Sequence, residues 1–215
     1  MTKKLLELFC GTKSITKVFA EHGWQTFTVD IDPQFKPDLC IDILDVSVDD
    51  IPFKPDVIWA SPPCTTFSVA SLYHYWNNGR PSMKKTWLGI CNVLKTIQLI
   101  NDLNPKFWFI ENPRGMLRKQ DFMQKFHRKT LTYCQYGDFR QKPTDIWTNC
   151  EYWIPRPMCS PGDKCHESAK RGEDKGTQYL HGSKARAVIP NELCKEIFSI
   201  CNNGHGYNKQ IKLIK

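Results

Sequence analysis

Two uninterrupted apolar runs, each halted by proline, constrain this chain more than any other feature. Asp56-Val57-Ile58-Trp59-Ala60 stops at Ser61-Pro62-Pro63-Cys64, and the Phe/Trp/Ile run over 106–111 stops at Glu111-Asn112-Pro113. A run with no apolar–polar alternation suits a strand covered on both faces, the environment inside a parallel sheet. Proline ends such a strand because it lacks the N–H that a central ladder needs. The runs therefore predict two adjacent central strands whose carboxyl ends deliver a thiol, Cys64, and a carboxylate, Glu111.

The remaining pattern agrees with such a sheet. Strands are expected at 5–9, 25–30, 40–41, 129–134 and 145–148. A helix over 14–22 would turn Ile15, Val18 and Phe19 inward. A longer helix over 84–103 carries apolar residues at 87, 90, 94, 97 and 100, assigned to the core. Residues 61–82 form a loop long enough to be functional. Pro190 opens a last helix over 191–201, with Leu193, Ile197 and Ile200 inward. Alternating strands and helices imply an α/β fold with a doubly wound, mainly parallel sheet, ligands lying at the carboxyl ends of its strands. Residues 1–149 read as the main domain. Residues 150–184, rich in Pro and Gly and without apolar periodicity, read as a small irregular insert held by something other than a core. Residues 185–202 return to the main domain as a helix, and 203–215 form a basic tail.

No window approaches a membrane span and the N-terminal apolar stretch is too short for a signal peptide, so a cytoplasmic protein is predicted; a monomer is expected, with an oligomer left open. Its ten cysteines are then thiols or metal ligands rather than disulfides. The net charge of +8 is uneven: residues 1–60 hold six Lys/Arg against ten Asp/Glu, whereas 112–142 hold eight against two. A polyanion would be drawn to the second stretch, which charge alone does not distinguish from a solvated basic face.

Phe9-Cys10-Gly11-Thr12 joins the first strand to the first helix, where Gly11 permits close backbone approach and the helix start offers free N–H groups. One glycine is also what a tight turn requires. Asp30, ending the second strand, is placed to accept both ribose hydroxyls of a nucleoside, while Asp42-Ile43 could take an adenine amino group and pack the ring. A single glycine without a phosphate-binding Lys-Ser/Thr suits an adenosine ligand that lacks a pyrophosphate, and S-adenosyl-L-methionine meets that description.

Cysteine in a cytosolic protein is usually a small buried hydrophobe. Cys64 is set apart by two prolines that fix its backbone and by the polar Thr65, Thr66 and Ser68 around it. A buried carboxylate such as Glu111 is costly without a task. Together the pair suits attack on a pyrimidine ring. Amino-methyltransferases share Ser-Pro-Pro but follow it with Tyr or Trp, which stacks on the base; Cys64 cannot stack.

On these residues the chain resembles the DNA (cytosine-5) methyltransferases, in the compact form encoded by phages. Leu8-Phe9-Cys10-Gly11 resembles the cofactor loop, with Lys13 where a second glycine is usual and Asp30 in place of Glu. Pro62-Pro63-Cys64 resembles the nucleophile motif and Glu111-Asn112-Pro113 the carboxylate motif. Arg140-x-Lys142-x-Thr144 stands where the family has Gln-x-Arg-x-Arg, and 185–190 where it has its cofactor-closing segment. The resemblance implies a Rossmann-like catalytic domain, double-stranded DNA as partner, and S-adenosyl-L-methionine held by Phe9, Gly11, Thr12, Asp30, Ile31, Asp42, Ile43, Pro62 and Leu88.

It also implies a mechanism. The target cytosine is flipped out, Cys64 adds to C6, Glu111 hydrogen-bonds N3 and the amino group, and C5 receives the methyl group. Arg140 and Lys142 would hold the cytosine carbonyl and a flanking phosphate. RNA as substrate, or a non-catalytic DNA-binding role, are the alternatives. Arg171-Gly172 and Gly176-Thr177-Gln178 suit phosphates and base edges. Cys150, Cys159, Cys165 and His166 surround the insert and could ligate zinc, but their spacing fits no zinc motif, and no metal ligand is assigned.

Overall fold

A computed structural model of the chain describes residues 2–160, 162–167 and 183–203. In chain order the elements are β1 (Lys4–Leu8), α1 (Ser14–Glu21), β2 (Gln25–Asp30), β3 (Leu39–Cys40), β4 (Val57–Ala60), α2 (Leu72–Tyr75), β5 (Trp76–Asn77), β6 (Arg80–Pro81), α3 (Lys84–Leu103), β7 (Phe107–Pro113), α4 (Asp121–Gln124), β8 (Arg128–Thr132), β9 (Pro143–Thr148), α5 (Ser183–Ala187) and α6 (Asn191–Asn203). Seven strands form one sheet in the order β3-β2-β1-β4-β7-β9-β8. The first five are parallel, and β9 runs antiparallel to both β7 and β8.

The chain fills one edge as β1, β2, β3 and then returns to place β4 on the other side of β1. That reversal opens a crevice at the carboxyl ends of β1 and β4, the usual ligand position in such sheets. The two apolar runs are β4 and β7, paired directly from Val57 with Phe107 to Ala60 with Ile110. Val57, Trp59, Phe107 and Phe109 enter the core on the α1 and α6 side, and Ile58, Ala60, Trp108 and Ile110 the core beneath α3. With both faces covered, alternation disappears from the sequence, and each large apolar side chain so buried stabilises the fold by about 1.5–3 kcal/mol.

Several expectations need correcting. In α3 the buried arc is Thr86, Gly89, Ile90, Val93, Thr96, Ile97, Leu99, Ile100 and Leu103, while Trp87 is 57% and Leu94 44% exposed. Two threonines take inward positions because their hydroxyls donate to backbone carbonyls, Thr86 to Tyr75 at 3.0 Å and Thr96 to Asn92 at 2.8 Å. Apolarity alone therefore misplaces the stripe. The expected loop over 61–82 contains α2 and the small β5–β6 hairpin, with buried Trp76 donating its indole N–H to the Thr66 carbonyl at 2.6 Å. The insert is not without a core: Cys150 and Trp153 join the α6-side cluster, and the Trp153 indole donates to Glu196 at 2.8 Å. Ile200 is only half-buried in α6, whereas Leu193 and Ile197 are fully buried. Arg171-Gly172, Gly176-Thr177-Gln178 and the tail beyond 203 lie outside the described residues. No described helix is long and apolar enough to cross a membrane.

Candidate active site

The turn after β1 is built from left-handed backbone: Phe9, Gly11 and Lys13 have φ of 54°, 46° and 55°. Two of these are not glycine, a conformation that persists only where surrounding contacts impose it. Here Asp30 of β2 reaches across, its Oδ2 accepting the Gly11 N–H at 2.8 Å and its Oδ1 the Asp32 N–H at 2.9 Å. Each carboxylate oxygen keeps a further lone pair, so Asp30 both fixes the turn and retains acceptor capacity toward the crevice. The Thr12 and Ser14 hydroxyls lie 2.9 Å apart, and the Ile189 N–H donates to Ser14 at 3.3 Å, bringing the returning segment over this turn.

Asp42 caps the following 3-10 turn by accepting the Leu44 N–H at 3.0 Å; Ile43 behind it is buried and Ile31 is exposed. The predicted residues on β1, β2 and β3 thus share one rim. Leu88 lies elsewhere, on α3, and is 46% exposed. Next to it, a Cβ on Gly89 would stand 2.5 Å from the Thr66 hydroxyl, so α3 packs tightly on the loop that follows Cys64.

That loop is fixed on several sides. The Ser61 N–H donates to the Leu8 carbonyl at 3.3 Å, and the Phe67 and Ser68 N–H groups to the Cys64 carbonyl at 3.0 and 2.9 Å. The buried Asn112 amide donates to the Pro62 carbonyl at 2.9 Å, linking the two proline-terminated strands at their ends. A Cβ on Gly115 would lie 2.1 Å from the Phe67 carbonyl oxygen, so only glycine fits where the chain leaving β7 crosses the Cys64 loop.

Glu111 is 6% exposed and accepts a hydrogen bond from the buried Tyr133 hydroxyl at 3.0 Å. Lys142 brings its ammonium within 3.9 Å of the same carboxylate oxygen, 4.4 Å above the Tyr133 ring, while donating to the Arg186 carbonyl at 3.1 Å. The Cys64 thiol is held above its ordinary pKa, first by burial and then by the Glu111 charge; Lys142 and Arg186 pull the other way. Burial, followed by the Glu111 charge, raises the Tyr133 hydroxyl well above the usual phenol range, keeping it a donor. The arrangement can supply a nucleophilic sulfur beside a carboxylate whose other partners are a phenol and an ammonium.

Arg140 does not have the role expected of it. It is 2% exposed, and all five of its N–H groups are used. Nε and one NH2 hydrogen go to Asp138, and the rest to the carbonyls of Ala185, Arg186 and Val188. With no donor left for a base or phosphate, it binds the turn after β8 to the returning segment over 185–188. Tyr133 and Asn112 escaped sequence reasoning. The sequence marks Asn112 only as part of a strand stop and Tyr133 only as a member of the expected strand over 129–134. Glu7 was missed as well: it sits in β1 and accepts the Thr16 N–H at 2.9 Å and the Thr16 hydroxyl, serving the uncapped start of α1. Of Cys150, Cys159, Cys165 and His166, to which the sequence assigns no metal, the last three come together, with Cys134 in place of Cys150.

Residues 3–152 match the model of the family described as C-5 cytosine-specific DNA methylase. A protein of Frog virus 3 (isolate Goorha) named "Probable DNA (cytosine-5)-methyltransferase" is 32% identical over 221 residues, covering 92% of this chain and 100% of that protein. Among solved structures, a prophage-encoded "putative DNA modification methyltransferase" of E. coli is 16% identical with a TM-score of 0.49 over 68% of this chain and 46% of the other. S. pombe Dnmt2 methyltransferase is 17% identical, with a TM-score of 0.48 over 68% of this chain and 50% of its own. The chain thus spans about half the length of these solved structures and the whole of its viral relative. With the family match covering most of its length and a relative of this identity along nearly all of it, the chain belongs to the C-5 cytosine-specific DNA methylases.

Proposed function

We propose that the chain methylates C5 of cytosine in double-stranded DNA, with S-adenosyl-L-methionine as methyl donor and Cys64 as covalent catalyst. The observation that carries this reading is the pairing of Cys64 with Glu111, close enough for the carboxylate charge to act on the thiol, and both backed by Lys142. The target base must leave the stack, because a sulfur cannot reach its ring face inside the duplex. Cys64, as thiolate, adds to C6 and pushes electron density toward N3 and C5. A proton shared between Glu111 and N3 meets the charge that arrives there, and Glu111 accepts an N–H from the amino group, with Tyr133 and Lys142 steadying its Oε1. Loss of the C5 proton to a base and elimination of Cys64 release the product, so one forbidding step is divided into easier ones.

The rim of β1, β2 and β3 fits the cofactor chemically: carboxylates with spare lone pairs for hydroxyl and amino groups, apolar Ile31 and Ile43, and a left-handed Gly11 turn with no side chain in the way. The cofactor would supply an electrophilic methyl group there. Asp30 and Asp42 would orient it, and the 185–189 segment held by Arg140 and Ser14 would close over it.

DNA duplexes and matched RNAs carrying 5-fluorocytosine test this reading. A covalent complex on DNA that requires Cys64 and S-adenosyl-L-methionine is expected. Trapping on RNA alone would transfer the chemistry to RNA, and trapping by Cys64→Ala would overturn the assignment of the nucleophile.

A further inference from the structure

Cys134, Cys159, Cys165 and His166 place one ligand atom each within 4.8 Å of one another. Cys134 lies in the 3-10 turn after β8, and the other three lie in the insert. The Cys134 and Cys159 sulfurs are 3.2 Å apart and those of Cys165 and Cys134 3.6 Å, while His166 Nδ1 is 3.7 Å from the Cys159 sulfur and 3.5 Å from that of Cys165. A tetrahedral zinc site, with Zn–S of about 2.3 Å and Zn–N of about 2.0–2.1 Å, has S···S edges of about 3.8 Å and S···N edges of about 3.5 Å. The Cys134–Cys165 separation and both sulfur–Nδ1 separations fall close to those edges, and the Cys134–Cys159 pair is shorter. They are far from a disulfide, whose sulfurs stand about 2.0 Å apart, and all ten cysteines are free.

The surroundings fit negative sulfur. The Gln141 amide donates to the Cys159 sulfur at 3.4 Å and the Gln135 amide to that of Cys165 at 3.5 Å, the kind of outer support that metal-bound thiolates receive. Adjacent residues 165 and 166 can both serve because the histidine presents Nδ1, the ring nitrogen nearer its own backbone.

We propose that these four residues bind one soft-to-borderline divalent metal, zinc by preference, as a closed Cys3His site. Four protein ligands leave no open position, so the metal is a structural clasp rather than a catalyst. It fastens the start of the insert to the turn that carries Tyr133, the residue beside Cys134 that donates to Glu111. The Cys159 N–H bond to Thr132 at 3.1 Å and the Glu167 N–H bond to the Phe139 carbonyl at 2.9 Å flank the same joint. The metal would therefore stiffen both the recognition insert and the support of the catalytic carboxylate.

The test uses the full-length chain purified without chelator and does not depend on methyl transfer. Plasma mass spectrometry should find about one zinc per chain, and cobalt(II), added after mercurial stripping and removal of the mercurial with excess thiol, should give the visible bands of a tetrahedral thiolate complex. Cys165→Ser and His166→Ala should each weaken metal binding at least about tenfold, whereas Cys150→Ala should keep the metal. Purified wild-type chain with neither zinc nor a cobalt spectrum overturns the proposal, whatever the variants do. So does a Cys134–Cys159 disulfide in the reduced-handled protein, or undiminished metal in the Cys165→Ser/His166→Ala double variant.

Discussion

Cys64 sits where its own surroundings oppose the thiolate, since burial and the Glu111 charge both favour the protonated form. Lys142 is the ammonium that works against them, so its charge should show in the pH dependence of addition. Single-turnover trapping should accelerate as pH rises, and Lys142→Met should shift that rise to higher pH while Lys142→Arg largely preserves it. An unshifted profile for Lys142→Met would mean the ammonium acts on DNA and not on the thiol. Glu7 gives a second titration, this one read in stability. Burial, opposed mainly by Thr16, raises its pKa from 4.5 to about 7. The fold favours the protonated form, so the stability Glu7 contributes is complete below about 4.5 and fades as pH rises through 7, by an amount on the order of 3 kcal/mol. Urea unfolding across pH 4.5–8 should show that decline, and Glu7→Gln should flatten it. Neither residue's behaviour was legible in sequence, because both depend on charges and hydroxyls from other elements.

At the scale of elements, strand ends and proline stops were legible because they are written into contiguous residues. The strands β2 and β4 and the helix α3 fall at the expected positions. What escaped was the joining of elements distant in sequence. Arg140 stands at the Gln position of its motif and is expected there to hold the cytosine or a phosphate, yet the structure gives it Asp138 and three carbonyls of 185–188. Replacing it by Ala would leave Asp138 nearly buried without its partner and the closing segment untied. A loss of about 3–5 kcal/mol in unfolding free energy is expected, the scale for breaking a buried ion pair. A stability within about 1 kcal/mol of wild type would show that Arg140 is replaceable by solvent, as exposed pairs are. Arg118 follows the same rule in the neighbouring hairpin, where it grips the fully buried Asp145 together with Thr130. Both pairings are invisible to a reading that counts charges along the chain.

For the molecule as a whole, those pairings change what the basic stretch over 112–142 can do. Arg118 and Arg140 are committed internally, Arg128 lies 3.8 Å from Asp145, and Lys142 faces Glu111 and the Arg186 carbonyl. Lys129 donates to the Glu151 carbonyl at 3.2 Å, which leaves Arg114, Lys119 and Lys125 exposed for phosphates. If each neutralises one phosphate, together they contribute about −3 to the slope of log affinity against log salt, at about −0.9 per contact. Replacing all three by Gln should flatten the slope by that amount and leave the choice of cytosine unchanged, because phosphate contacts carry no sequence. Under the proposed function the insert over 150–184 would read the sequence, and the family match, over 3–152, reaches only its first residues. Between Thr148 and Ala185 lie only 36 residues, many of them Gly and Pro. So short a segment can place few side chains on base edges, each good pair discriminating by about 1–3 kcal/mol. The expected target is therefore short, about two to three base pairs including the cytosine. Mapping methylated cytosines across the genome of an expressing host measures this directly. A strict requirement for four or more defined pairs would show that a partner, or bending of the DNA, supplies recognition that 36 residues cannot.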